Sequence, residues 1–482
     1  MEFKQIVTSG LEPALPLAYF EAISAIPRAS KHEEKIAQFL CEFASDLGLE
    51  HIRDEANNVY IVKPASPGMK DKPAVSLQGH IDMVCEKDGG VDHDFDNDGL
   101  ELYIKDGKLR ARGTTLGGDD GAAVAYMMAL LSSTDIPHPR LECVFTSDEE
   151  MGMGGAKNFD FTMLTSRRMI NVDSEEEGIV TVSCAGGVRS NISFEVERVP
   201  IKGKLLHVSV SGLMGGHSGG DIHLGRANAA VALALTLNDL YSEYPFDLVE
   251  FSSGSKDNAI PREAEAVIAL LDSDKAAQRL NEYAKKYKIR LSDDDSGFRL
   301  IVGKGKTKYD GMFTMKDTRR ALSAVLLATN GVLSMSHSVP GLVESSCNLG
   351  VVHTSENGFE ILMLARSCDD LIVEEIMKKN DLLAKLLDAS CDHHDRYPGW
   401  IFPGSSKLCD DYCRIYKQQT GKDAQVLAIH AGLECGLIKH SLPDLDVISI
   451  GPDMKNIHTP AEELDLASFA RTWELLKTLV GA

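Results

Sequence analysis

Along the chain, hydrophobic positions switch between helical spacing and short continuous apolar runs. Ser30-Lys31-His32-Glu33 has capping-box spacing, and Ile36, Phe39, Leu40, Phe43 and Leu47 follow at helical intervals, so an amphipathic helix is expected to begin there. Residues 74–77, 141–146 and 169–172 read as buried strands. Between the first two lies an apolar helix, 122–131, opened by Gly117-Gly118-Asp119-Asp120-Gly121. Strands alternating with helices predict an α/β fold, with a mostly parallel sheet covered on both faces.

The pattern changes near Gly186-Gly187. Strands are expected at 205–210, 248–252 and 264–271, with helices at 226–240 and 275–288. A helix at 319–333, strands at 347–353 and 359–364 and a helix at 371–387 repeat this order. The stretch therefore reads as an inserted α+β domain built from two related βαββα-type units. The predicted domains are 1–187 (catalytic, first part), 188–395 (insert) and 396–482 (catalytic, second part). Residues 391–403, with their Pro, Gly and polar side chains, read as the return linker. A helix at 408–420, a strand at 447–450 and a helix at 463–480 close the chain.

Charge removes one class of partner. The chain has 50 Lys+Arg against 72 Asp+Glu, a net −22, which argues against binding nucleic acid. Hydrophobic residues at 43% and charged residues at 25% are ordinary for a globular protein. No apolar run approaches the roughly 18 residues that a membrane span needs, so no membrane association is expected. The first twenty residues lack the features of a signal peptide. Ten cysteines include no CxxC pair, which suits neither a disulfide framework nor a cysteine-only zinc knuckle. These features together point to the cytoplasm.

The chemistry lies where the predicted strands end. His80 and Asp82 follow the first, Glu149 and Glu150 the second, and Asp173 the third; His458 lies a few residues past the 447–450 strand, and Asp119 stands at a helix mouth. In an open α/β sheet, ligands bind beyond the carboxyl ends of the strands. His80, Asp119, Glu150, Asp173 and His458 exceed the three protein ligands of a single catalytic zinc and suit two metal ions sharing a carboxylate. Asp82 is placed to orient the His80 imidazole from behind. The adjacent Glu149-Glu150 pair suits a division of labour, with one acid on metal and the other free to move protons. Taken singly, each residue also has a plain structural reading, as a helix cap, a turn or a solvated surface.

His80-x-Asp82, Gly117-Gly118-Asp119-Asp120-Gly121, Asp148-Glu149-Glu150-x-Gly152, Asp173 and the late His458 together resemble the dizinc aminopeptidase/carboxypeptidase-like amidohydrolases. The blocks GHIDMVCEK, TTLGGDDGAAVA, FTSDEEMGMGGAK, NVDSEEEG and HAGLECGLI resemble, more narrowly, the cytosolic aminoacyl-histidine (Xaa-His) dipeptidases. The resemblance spans essentially the whole chain. It implies two Zn2+ per subunit, which Co2+ or Mn2+ could replace, with Asp119 bridging. His80 and Asp173 would complete one site, Glu150 and His458 the other, and Glu149 would be the general base. It further implies a small unblocked dipeptide as substrate, with C-terminal His preferred and carnosine-like peptides included. The related alternative is a dizinc amidohydrolase acting on tripeptides or N-acyl amino acids.

In the insert, the resemblance gives His217, within Gly215-Gly216-His217-Ser218-Gly219-Gly220, the role of oxyanion donor. In dimeric relatives the matching His reaches the partner subunit's site, so a homodimer with the insert acting as lid and dimerisation domain is expected. Asn258 and Arg366 would hold the substrate's C-terminal carboxylate, and Glu434 its free amino group. On residue chemistry alone, His217, Asn258 and Glu434 also suit turns, and Arg366 a surface salt bridge. His207, His223, His353, His393, His394 and His440 receive no role. A thiol hydrolase using Cys85 or Cys435 is the competing chemistry.

Overall fold

The computed structural model describes residues 5–336 and 341–482. Contacts divide the chain into two units. The first comprises Met1–Ser183, Trp400–Ala428 and Leu433–Ala482; the second comprises Cys184–Gly399 and Ile429–Gly432. The joins thus fall at 183/184 and 399/400, and the segment 429–432 belongs with the insert, which the sequence pattern did not indicate.

The first unit is built on an eight-stranded sheet, in the order Glu50–Arg53, Val59–Lys63, Leu141–Thr146, Val75–His80, Arg168–Asn171, Asp446–Ser449, Ile179–Cys184 and Gln425–Ile429. The central four strands run parallel, while the Glu50–Arg53, Val59–Lys63 and Ile179–Cys184 strands pair antiparallel. Every residue of Val75–His80 and Leu141–Thr146 is buried, as expected for strands covered on both faces. Helix Gly118–Ser132 is buried on all sides, which explains its uniformly apolar sequence after Gly121. Tyr126 of this helix stacks on Phe469 and Trp473 of the closing helix Leu466–Gly481.

Two local expectations change. The amphipathic helix is Glu34–Asp46, and Ser30 does not cap it: its hydroxyl donates to Asp82 Oδ2, 2.8 Å away. Glu33 Oε1 instead accepts from the Lys31 and Asp148 amides, so the capping-box residues serve the loops of the site. The last helix starts at Leu466, where the Asp465 carboxylate caps the Ser468 amide; Glu463–Asp465 is a short strand.

The second unit has its own sheet, in the order Arg299–Lys304, Lys204–Ser211, Ala264–Leu270, Asp247–Ser253, Val343–Thr354, Gly358–Ser367, Gly186–Glu195 and Ser390–Tyr397. The order reads alike from either edge. One half follows the chain as strand 204–211, helix Ala229–Glu243, strands 247–253 and 264–270, helix Ser273–Lys288 and edge strand 299–304. The other takes strand 186–195, helix Met315–Leu327, strands 343–354 and 358–367, helix Asp370–Leu386 and edge strand 390–397. The first repeat is therefore spliced between the first strand and first helix of the second. The helix expected at 319–333 stops at Leu327, and Gly331–Met335 is a strand beginning at a left-handed glycine (φ +95°). Much of the expected linker 391–403 is the edge strand Ser390–Tyr397, paired with Gly186–Glu195.

Candidate metal centre

Because the four central strands of the first unit are parallel, their carboxyl ends share one sheet edge. His80 ends the first of them, Ser147–Glu150 follow the second, Asp173 follows the third, and His458 lies beyond the fourth. Asp119 arrives from the start of helix Gly118–Ser132, where Asp119 and Asp120 depart from helical dihedrals and are joined by a cis peptide bond. Helix and strand press together there: a Cβ on Gly79 would lie 2.4 Å from both Ala123 Cβ and Asp120 Oδ2.

Asp119 lies between the two imidazoles. Its Oδ1 is 2.9 Å from His80 Nε2 and its Oδ2 is 3.1 Å from His458 Nε2. Each histidine has a further acid: Asp173 Oδ1 is 3.6 Å from His80 Nε2, and Glu150 Oε1 is 2.9 Å from His458 Nε2. All five residues singled out as metal ligands therefore come together. The other nitrogen of His80 decides what the centre can hold. Nδ1 is 3.1 Å from the Asp82 carbonyl oxygen and 3.3 Å from Asp82 Oδ1, both acceptors, so it carries a proton. The Nε2 lone pair of a neutral ring then faces carboxylate oxygens, an arrangement that only a cation or a second proton reconciles. The donor set of imidazoles and carboxylates, with one acid shared, fits a pair of divalent ions.

The charges here act strongly on one another. Burial opposes a charge on His80, yet Asp119, Asp173 and Asp82 more than offset it and raise its pKa well above the usual value. Hydrogen bonds that His458 donates to Asp119 and Glu150 push it up to about 10, against burial. Burial also works against Asp119, but His458 and His80 drive it below the ordinary carboxylate range. Asp173 is pushed up to about 6, by burial first and by Asp119 and Glu150, with His80 pulling the other way. Burial likewise raises Glu149 well above its ordinary value; His80 resists this, while Asp173, Glu434 and Glu150 add to it.

Asp82 ties the parts together. It is fully buried, and its Oδ1 accepts from the Glu149 amide (3.0 Å) while Oδ2 accepts from the Glu150 amide (3.3 Å) and Ser30 Oγ (2.8 Å). One carboxylate thus orients His80 and also fixes the loop bearing both glutamates. Glu434, the first residue of helix Glu434–Ser441, is buried beneath the centre. Its Oε2 accepts from Gln78 Nε2 (2.5 Å) and Thr146 Oγ1 (2.7 Å), and its Oε1 is without a partner among the described residues. Burial pushes its pKa up to about 8.

The insert residues lie in the second unit. His217 Nδ1 accepts the amides of Gly219 (3.3 Å) and Gly220 (3.0 Å), so a neutral ring carries its proton on Nε2 and is a donor there. Burial, then the Arg366 charge, lowers its pKa. Arg366 is buried; one Nη donates to Tyr397 Oη at 2.9 Å, and Nε has no partner among the described residues. Asn258 contributes its carbonyl oxygen to the same region, accepting from the Ser218 amide at 2.8 Å.

Comparison with known proteins gives the family. Residues 76–482 match the model of peptidase family M20/M25/M40. The chain belongs to this family. It is similar to the cytosol non-specific dipeptidase of Escherichia coli K12, with 36% identity over 98% of each chain. The crystal structure of aminoacylhistidine dipeptidase from Vibrio alginolyticus superposes with a TM-score of 0.91 at 37% identity, covering 99% of this chain and 98% of that one. The aminopeptidase PepT of Bacillus cereus shares the fold at 17% identity and a TM-score of 0.55, covering 97% of each chain.

The structure also brings forward residues that the sequence did not single out. Glu462 is buried, and its carboxylate accepts the amides of Leu116 (2.8 Å), Gly117 (3.1 Å) and Gly118 (2.8 Å), which cradles the loop that presents Asp119. The buried Arg28 donates to the carbonyls of Ile81, Asp82 and Gly117, clamping that loop to the one after His80. A Cβ on Gly117, whose φ is +66°, would meet the Arg28 guanidinium at 2.4 Å. Glu175 is pushed up to about 7 by burial and by Asp119 and Asp173. In the second unit His430, bonded to Ser346 Oγ at 2.7 Å, is driven down to about 4 by burial, Arg366 and His217. Burial pushes the Cys85 thiol up to about 11, the opposite of what a thiolate nucleophile requires.

Proposed function

We propose that this member of the M20/M25/M40 family is a metal-dependent dipeptidase acting on unblocked dipeptides, with Xaa-His, including β-alanyl-His, preferred. The observation that carries the reading is the Asp119 carboxylate, which offers one oxygen toward each of two imidazoles, each with its own further acid. In this reading His80 and Asp173 would hold one Zn2+, Glu150 and His458 the other, and Asp119 would serve both; Co2+ or Mn2+ could substitute. Bound divalent ions supply Lewis acidity and make water acidic near neutral pH.

The chain's own groups do the rest. Glu149 takes the proton of the attacking water and returns it to the leaving amine, a role that suits a buried acid whose pKa burial raises well above its ordinary value. Asp82 keeps His80 in the tautomer that presents Nε2 and holds the Glu149 loop in place. His217, with its proton on Nε2, donates to the carbonyl oxygen as negative charge develops. Arg366, buried with an unused Nε, and Asn258 hold the substrate's terminal carboxylate, and Glu434, with a free buried oxygen, takes the ammonium. A group at each end would measure the substrate and disfavour longer peptides. A cytoplasmic homodimer completes the reading; it rests on the resemblance and on ten cysteines that form no disulfide.

The test is a panel of dipeptides, tripeptides and N-acyl amino acids assayed beside metal analysis of the purified protein. Fastest turnover of unblocked Xaa-His peptides, with at least two metal ions per chain, is expected. Preference for a blocked amine or a tripeptide would move the assignment to the related amidohydrolases.

A further inference from the structure

The second unit carries a separate set of ligating side chains on its edge strand. Cys391 and His393 stand two residues apart on Ser390–Tyr397 and project from the same face. Helix Asp370–Leu386 contributes Asp381. Asp381 Oδ1 lies 3.1 Å from His393 Nε2, and Cys391 Sγ lies 3.6 Å from the same nitrogen. The three ligand atoms are all within 4.8 Å of one another. The opposite ring nitrogen is also fixed. Ser190, directly across from His393 in the paired strand and 1% exposed, places its Oγ 2.9 Å from Nδ1. A proton on Nδ1 donated to Ser190 leaves Nε2 as a lone pair facing a carboxylate and a thiol. This is how a metal-binding imidazole is commonly held from behind.

We propose that Asp381, Cys391 and His393 form an additional divalent-metal site on the insert, with a thiolate–imidazole–carboxylate donor set suited to Zn2+ or Co2+. Water would complete the coordination on the Asp381 side, where that side chain is 45% exposed. The ion would fasten the outermost strand of the sheet to the helix beside it. Binding displaces the Cys391 proton to solvent as the sulfur–metal bond forms.

Sulfur distinguishes this site from the metal centre of the first unit, whose ligands are all nitrogen and oxygen. The full-length protein is equilibrated with Co2+, desalted, and examined for a near-ultraviolet thiolate-to-cobalt charge-transfer band and for metal content per chain. The expected result is a band in the native protein and one more ion per chain than in Cys391→Ser. The band should vanish in Cys391→Ser and weaken in Asp381→Asn, while peptidase activity of both variants stays at the native level and shows that they fold. No band, a band that survives Cys391→Ser, or equal metal content in the two proteins would overturn the proposal.

Discussion

Replacing Asp82 by Asn changes one atom and should disable much of the centre. The carboxylate is fully buried and faces donors on both sides: His80 Nδ1 at 3.3 Å and the Glu149 amide at 3.0 Å on Oδ1, the Glu150 amide at 3.3 Å and Ser30 Oγ at 2.8 Å on Oδ2. Asparagine supplies one acceptor oxygen and one amino group. Ser30 can turn its hydroxyl to accept, so the amino group is best tolerated on the Oδ2 side, and the Glu150 amide is stranded there. A buried donor left unpaired costs about 1–3 kcal/mol, and loss of a charge-assisted bond is of similar size. The variant also loses the negative charge that keeps the His80 proton on Nδ1. Both effects act on metal ligands, so metal affinity should fall roughly 10–100-fold, with kcat falling alongside it. Competition against a chromophoric chelator measures the first, and dipeptide turnover at saturating metal the second. Native metal affinity together with native kcat in Asp82→Asn would refute the assignment.

Glu149→Gln should keep its metal, because no ligand is lost, while kcat drops by roughly 10²–10⁴ with the proton shuttle gone; ordinary turnover in this variant would assign the base elsewhere. His217→Ala should lower kcat by roughly 10²–10³, the scale for one oxyanion donor, and an unchanged rate would leave His217 as a loop residue only. His430 predicts an acid effect on stability. Its pKa is about 4 in the fold against 6.5 ordinarily, so below 6.5 the unfolded chain binds a proton that the native state refuses. Stability from this group is complete above 6.5 and lost as pH falls toward 4, by up to about 3 kcal/mol. Melting temperatures of native protein and His430→Gln should therefore converge as pH drops across that window; a gap that stays constant would show that His430 is not held neutral.

The candidate metal centre was legible because its residues are placed by local rules. A strand that ends at His80, or one followed by Asp148-Glu149-Glu150, announces itself by its apolar run, and parallel strands must end on the same edge. Glu462 was not legible: its partners are backbone amides more than three hundred residues away, and no residue type or spacing marks them. Arg28 was hidden for the same reason, since it donates to carbonyls that every sequence possesses. The second unit shows the reverse failure, in which composition misleads. An edge strand is paired on one side only, so Ser390–Tyr397 can carry Asp, His and Arg side chains and reads like a linker. The repeat was visible as a recurrence of elements, but its nesting was not, because one copy draws its first strand from upstream of the whole other copy.

Glu462 and Arg28, which escaped detection, share a task with Glu33 and Asp82. Glu462, Arg28, Glu33 and Asp82 spend their charge on the backbone of the loops that present Asp119, Glu149 and Glu150, and burial strengthens those contacts by excluding water. Loops so fixed can hold buried acids close together, and burial first, then mutual repulsion, raises Asp173, Glu149 and Glu175. Left to itself, that cluster would relax outward or take up protons. Backbone-directed charges prevent the first, and divalent cations remove the reason for the second. A site of this kind therefore needs two sets of buried charges, one for the ions and one for the loops, and of the second set only Asp82 has a sequence signature.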